Sequence, residues 1–291
     1  MKDERGARAP KILVDESAVA RVVEAGERWL KSLLATTGQR RLVIGVSGGI
    51  DSAVVSMWAA RAVGPEALTL LAMPYGLEAP SAGPPSARDS LEDGRRVFEA
   101  VRGADARVLD IAPSVDLEAR ALGVLDGGVE AALADPARRL ALGNLKARIR
   151  AVRLRTIANL ERGLVLGTEN LSENMLGYFT LGGDEQSDAE LIANLLKTEV
   201  RAVARAVGVP APILEKPPSA DLWSGQTDEG ELGMSYDDAD RVIAAMLRGG
   251  DAGVSDDAHA AVKQRIEASA FKRAAKPAFQ PEGETADGGT R

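Results

Sequence analysis

The sequence predicts an α/β fold, a doubly wound parallel sheet with helices on both faces. Two observations carry this reading. Four short apolar runs recur along the 291 residues, and stretches with apolar residues at helical spacing separate them. One of the runs ends in a glycine-rich turn that opens directly into a helical pattern. Strands alternating with helices build a parallel sheet covered on both sides, whose ligands gather past the carboxyl ends of the strands.

The elements follow in order. Residues 1–14 are charged, carry no apolar signal region and read as a flexible arm. Over 17–35, Val19, Val22, Val23, Leu30, Leu33 and Leu34 fall at helical spacing. The first strand is expected at 42–46 and its helix at 53–63. Further strands are expected at 68–73, 107–111 and 164–167, with helices over 88–102 and 137–161. Two segments, 76–90 and 216–235, are rich in Pro, Gly and Ser and read as long loops, which in a compact domain are usually functional or disordered. The polar, glycine-rich stretch 276–291 reads as a disordered tail. That leaves 15–275 as a single domain.

Composition narrows the function classes. A net charge of −7 and a pI near 5.1 argue against a general binder of nucleic acid or anionic membrane. No apolar run reaches the roughly 18 residues a membrane helix needs, so a soluble cytoplasmic protein is expected. The absence of cysteine excludes disulfides, thiolate metal sites and a cysteine nucleophile. The single histidine, His259, lies in a polar, Asp-rich stretch and reads as a surface residue.

The chemistry-bearing stretch runs Leu42-Val43-Ile44-Gly45-Val46-Ser47-Gly48-Gly49-Ile50-Asp51-Ser52. A strand, a glycine turn and a helix start place backbone N–H groups and serine hydroxyls where the helix dipole favours an anion. Paired glycines let the backbone approach a bulky phosphate. Asp51 would repel bare phosphate, and makes sense when a divalent cation bridges the two. The chain has no Gly-Lys pair, so this is not the Walker loop, and its glycines do not fit G-x-G-x-x-G.

Ser-Gly-Gly-x-Asp-Ser after a strand resembles the pyrophosphate loop of the N-type ATP pyrophosphatases, which cleave ATP between the α and β phosphates. Further stretches extend the likeness. They are Gly143-Asn144-Leu145-Lys146-Ala147-Arg148-Ile149-Arg150, Gly167-Thr168-Glu169-Asn170-Leu171-Ser172-Glu173 with Gly177-Tyr178-Phe179-Thr180, Leu196-Lys197-Thr198-Glu199-Val200, and Lys216-Pro217-Pro218-Ser219-Ala220-Asp221-Leu222 continuing into Asp228-Glu229-Gly230-Glu231-Leu232-Gly233. In this order, over roughly 17–275, they resemble the ammonia-dependent NAD synthetases.

The resemblance implies an adenine nucleotide alpha hydrolase-like, Rossmann-like fold. It implies a Mg²⁺-dependent ligase that adenylates the nicotinate carboxylate of deamido-NAD with ATP, then amidates it with ammonia, releasing AMP and pyrophosphate. It also implies a homodimer. By resemblance, Asp51 and Glu173 are the Mg²⁺ ligands, and Asp51 and Lys197 are catalytic. ATP would be bound by Gly45, Val46, Ser47, Gly48, Gly49, Ile50, Asp51, Ser52, Thr168, Lys197 and Ser219. Deamido-NAD would meet Arg148, Asp188 and, in compensation for a missing cation, Lys272. On spacing alone, Glu173 also fits a helix-start acid and Lys197 a solvated helix residue. Apart from Arg148, the basic stripe Arg138, Arg139, Lys146, Arg150, Arg153 and Arg155 reads as solvated or subunit-facing.

Two positions depart from the family pattern. Leu181 stands where many members have lysine, followed by Gly183-Asp184-Glu185-Gln186 in place of Gly-Asp-Gly-Gly, and Phe271-Lys272-Arg273 replaces His-Lys-Arg. Both lie on the dinucleotide side, and they keep a second expectation open: a paralogous ATP-dependent amide ligase for a different carboxylic acid.

Overall fold

The computed structural model describes residues 16–76, 85–216 and 227–279. Helix α1 (Glu16–Thr37) leads into β1 (Arg41–Gly45), α2 (Ile50–Val63) and β2 (Leu68–Ala72). There follow α3 (Pro85–Ala100), β3 (Asp105–Val108), α4 (Ala112–Ala121), α5 (Val129–Ala134), α6 (Pro136–Glu161) and β4 (Gly163–Gly167). The chain continues through α7 (Leu171–Leu176), β5 (Ala189–Glu190), α8 (Lys197–Val207) and α9 (Ala211–Glu215). It closes with α10 (Asp228–Leu232), α11 (Tyr236–Arg248), α12 (Asp256–Ala268) and α13 (Ala270–Arg273).

The sheet is parallel throughout, in the order β3-β2-β1-β4-β5. Leu42 pairs with Leu68 on one side of β1 and with Leu164 on the other. Side chains alternate across the sheet, so Leu42 and Ile44 join the core under α1, α2 and α8, while Val43, Leu71 and Val165 join the core under α4 and α6. Both faces are therefore buried, as expected for a doubly wound sheet. A third core of α7, α10, α11 and α12, built around Leu176, Tyr236, Val242 and Ile243, sits past the strand ends. No helix among the described residues is long and apolar enough to cross a membrane.

The four expected strands and four expected helices are present, with shifted ends. Helix α2 begins three residues early, so Ile50, Asp51 and Ser52 form its first turn. The third strand ends at Val108. Leu109 and Ile111 still donate to Ala72 O and Pro74 O, but the chain then turns into α4, with Asp110 Oδ1 accepting from Ala112 N at 2.8 Å. Of the two expected loops, 77–84 and 217–226 lie outside the described residues, and helices occupy part of the rest. Pro85 suits the first turn of a helix, where its missing N–H costs nothing, so α3 starts inside the first loop. Thr227 caps α10 through Gly230 N inside the second. Of the expected arm and tail, 1–14 and 280–291 lie outside the described residues, and 276–279 carry no regular structure.

Candidate active site

The chain order reverses between β1 and β4, which lie side by side although α2 through α6 separate them in sequence. A crevice opens at such a point past the carboxyl ends. Here it is a cavity of about 720 Å³, reached by the turn after β1, the segment after β2 and the segment after β4.

The turn after β1 is fixed by its own serines. Ser52 Oγ accepts from Ser47 N at 3.2 Å, lies 3.1 Å from Ser47 Oγ and donates to Gly49 O at 3.0 Å. Gly48 adopts φ +84°, and a Cβ there would stand 2.2 Å from the carbonyl oxygen of Ser90 on α3. Close approach of α3, as well as of any ligand, thus demands glycine at this position. Gly49 is the N-cap of α2 and provides no side chain to cap it, so the positive end of α2 opens towards the cavity.

Asp51 does not brace that turn. Its Oδ1 accepts from Asn170 Nδ2 at 3.0 Å, and its Oδ2 accepts from Lys197 Nζ at 2.6 Å. Lys197 Nζ also donates to Glu173 Oε1 at 2.9 Å. One ammonium therefore joins the carboxylate after β1 to the carboxylate after β4. Lys197 is 2% exposed, so it is no solvated helix residue. Burial opposes its charge, but Asp51 and Glu173 outweigh burial and hold it protonated more firmly than an ordinary lysine. Glu173 goes the other way. Burial, with Asp51 adding, pushes its carboxyl up to about 8 against the pull of Lys197. Asn170 secures α7 at the same time: its side chain accepts from Glu173 N at 3.0 Å, and Glu173 Oε2 accepts from Asn170 N at 3.3 Å.

A third acid closes this wall. Asp228, 3% exposed, lines the cavity, its Oδ2 accepting from Tyr236 OH at 3.3 Å while its buried Oδ1 has no hydrogen-bond partner. Burial raises its pKa as well. The Tyr236 ring lies 5.0 Å from Lys197 Nζ.

On the opposite wall, α6 corrects the reading of its basic stripe. Lys146 is 6% exposed, its Nζ 4.1 Å from the centre of the Tyr75 ring, and burial with Arg150 nearby lowers its pKa to about 8. Arg150 Nε donates to Met73 O at 3.0 Å, and Arg153 donates to Leu109 O and Asp110 O at 3.2 and 2.8 Å. These side chains reach over the strand ends because carbonyls leaving β2 and β3 need donors there.

The remaining expected site residues divide. Gly45, Val46, Ser47, Gly49, Ile50, Ser52, Thr168 and Lys272 line the cavity with Asp51, Glu173 and Lys197. Arg148 and Asp188 lie outside its lining. Arg148 Nε donates to Leu181 O at 3.2 Å, and Asp188 accepts from Arg155 at 2.7 Å and from Val165 N at 2.8 Å. Lys272 Nζ donates to Gly177 O and Phe179 O at 2.8 and 2.6 Å. Leu181 is an exposed side chain. Ser219 falls outside the described residues.

A family model described as NAD synthase matches residues 22–276. The chain belongs to the NAD synthase family. Among its curated relatives, the NH3-dependent NAD(+) synthetase of Methanococcoides burtonii is 42% identical over 216 residues, 74% of this chain and 75% of the relative. That of Pyrococcus furiosus is 40% identical over 228 residues, 78% of this chain and 77% of the relative. Among solved structures, an NMN synthetase from Francisella tularensis superposes with a TM-score of 0.75 at 28% identity, covering 91% of this chain and 99% of the other. An NAD+ synthetase from Burkholderia pseudomallei gives 0.68 at 28% identity, over 91% and 92%. The matched NAD synthase region contains every described site residue named above.

Sequence reasoning missed Asn170, Asp228, Tyr236 and Lys146 as members of the site. Asn170, Lys146 and Asp228 stood inside quoted motifs with no local feature marking their partners. The signal for Lys146 was its neighbours Leu142, Leu145 and Ile149, which give its side of the helix an apolar surround.

Proposed function

We propose that this chain is an ammonia-dependent ligase that makes NAD from deamido-NAD, spending ATP as AMP and pyrophosphate. The observation that carries the reading is the Asp51–Lys197–Glu173 cluster beside the open N-terminus of α2, at the point where the sheet reverses order. A carboxylate attacking the α-phosphorus of ATP is an encounter of two anions. It needs alignment and charge neutralisation more than a strong base.

In this reading the turn from Ser47 to Gly49 and the first turn of α2 bind the leaving pyrophosphate. The nicotinate carboxylate oxygen bonds to the α-phosphorus as the bond to the β-phosphate oxygen breaks. Ammonia then attacks the acyl carbon of the adenylate, AMP leaves with the former carboxylate oxygen, and one proton is released. Lys197 holds positive charge against this centre and keeps Asp51 and Glu173 together.

The donor set fits Mg²⁺. Two carboxylates share one cation, and a third buried acid has an oxygen with no partner. Mg²⁺ takes carboxylate, phosphate and water oxygens. Asp51 and Glu173 would hold it, and when bound it would neutralise phosphate charge.

The test is product analysis with purified protein, ATP, Mg²⁺, deamido-NAD and ammonium. NAD and AMP in equal amounts are expected. ADP, or AMP without NAD, would refute the reading. The likeness to an NMN synthetase, with an exposed leucine at 181, supports a second reading in which a smaller pyridine carboxylate is the acid. Nicotinate mononucleotide outcompeting deamido-NAD in the same assay would select it. We also infer a homodimer, supported by Val152 and Leu160 on α6, exposed at 62% and 75%, and light scattering tests it.

A further inference from the structure

We propose that Asp240, on α11, is a positioning residue that sets Lys197 and Glu173 in place from behind the cavity. The proposal rests on the ligase reading for the chemistry it serves, and on the following geometry for its mechanism.

Helix α8 begins at Lys197, and its N-cap is Leu196, whose side chain can accept nothing. The N–H groups of the first turn must therefore find acceptors elsewhere. Lys197 N donates to Ser172 Oγ at 2.9 Å, and Thr198 N donates to Asp240 Oδ2 at 2.8 Å. Ser172 Oγ in turn donates to Asp240 Oδ1. One carboxylate, 3% exposed, thus caps α8 across 42 residues of sequence and fixes the hydroxyl of the residue before Glu173. A carboxylate at a helix N-terminus is also favoured by the dipole. Asp240 does not line the cavity.

Tyr236 stands one turn earlier on the same face of α11, its ring beside Lys197 Nζ and its hydroxyl on Asp228. Helix α11 therefore supports the main chain of Lys197 with one residue and its ammonium with another. The consequence is specific. Loss of the Asp240 carboxylate frees Ser172 and the start of α8, and Lys197 Nζ loses its fixed place between Asp51 and Glu173. Substrate contacts on the far wall stay as they are.

The experiment compares the full chain with Asp240→Asn, Asp240→Ala and Ser172→Ala, using Asp237→Asn as control because Asp237 is an exposed acid on the same helix. Steady-state AMP release and amide hydrogen exchange are read together. Asp240→Ala and Ser172→Ala should lower kcat about 10- to 100-fold, in line with other residues that orient a catalytic shell. KM for ATP and for deamido-NAD should stay within about threefold. Asp240→Asn, which keeps the shape and one acceptor, should lose less than Asp240→Ala, and Asp237→Asn should match the parent. Exchange at Lys197 and Thr198 should quicken in each Asp240 variant. In a Lys197→Met background, Asp240→Asn should slow the residual rate no further.

Unchanged kcat in folded Asp240→Asn and Ser172→Ala, a rise confined to KM, or a full multiplicative loss in the Lys197→Met background would each overturn the proposal. If Asp240→Ala fails to fold, Asp240→Asn and Ser172→Ala decide. An inactive parent chain would instead overturn the ligase reading, and the exchange data would still report whether Asp240 caps α8.

Discussion

Replacing Lys197 by methionine removes the cation shared by Asp51 and Glu173 while keeping a side chain of similar length. Breaking a buried ion pair from one side costs about 3–5 kcal/mol when the remaining charge has no escape. Here it has one, because Glu173 can take a proton. Burial already pushes its carboxyl up to about 8 with Lys197 present, and without Lys197 it must rise further. A carboxyl with a raised folded pKa stabilises the protein below its unfolded value, and that stability is lost as pH rises towards the folded value. In the parent the loss ends near pH 8. In Lys197→Met it continues above pH 8, at about 1.4 kcal/mol per pH unit. For a domain of this size about 1 kcal/mol shifts Tm by roughly 2 °C. Metal-free thermal melts should therefore show a constant gap between parent and variant from pH 6 to 8. The gap should widen by about 3 °C per unit above pH 8. A gap that stays constant to pH 9.5, or narrows, would refute the shared-cation account.

Gly48→Ala places a Cβ against the Ser90 carbonyl at a positive φ, so it should cost about 1–3 kcal/mol and abolish AMP release, both measurable by melt and assay. Lys146 is held by burial at about 8, below the unfolded 10.5, so the folded state sheds its proton first and the protein gains stability as pH rises from 8 to 10.5. Lys146→Met should remove that gain and raise Tm at pH 7, and a variant melting with the parent's pH slope would contradict it. Lys272→Ala removes two donors from Gly177 O and Phe179 O, so KM for the dinucleotide should rise about tenfold together with a Tm loss of a few degrees. A KM change with an unaltered melt would mean that Lys272 serves the ligand alone.

What was legible in the sequence was local. The turn from Gly45 to Ser52 could be read because glycine, serine and aspartate declare strand end, tight turn and helix start in eight consecutive residues. The strands could be read because a sheet buried on both faces demands unbroken apolar runs such as Leu68 to Ala72. The apolar Leu195, Leu196 and Val200 beside Lys197 are a local sign of its burial. Its partner could not be read, because Asp51 lies 146 residues away and no local pattern encodes a pair at that distance. The same holds for Asp240, an acid inside an acid-rich helix start whose partners are on α7 and α8. The loop readings erred for a different reason. Pro85 and Thr227 belong to helix starts as readily as to loops, and composition alone does not separate the two.

The sheet order explains why the two halves of the site differ in how far they follow the family pattern. Because β1 and β4 are neighbours, Asp51 and Glu173 descend from adjacent strands and one ammonium can hold both. A change at any of the three would leave a buried charge unpartnered or force a carboxyl to take a proton, so that wall tolerates little. The far wall is built otherwise. Arg148, Lys272 and the segment from Gly177 to Gly183 meet through side-chain donors on main-chain carbonyls. A carbonyl accepts from a donor whatever side chain its own residue carries, so Leu181 can replace lysine without disturbing the bond from Arg148 to its carbonyl. Under the proposed reading, the acid substrate can therefore change along this wall while the wall around Asp51, Lys197 and Glu173 is kept. For that reason Leu181 and Lys272, and not the turn after β1, are the positions at which to look for the identity of the acid.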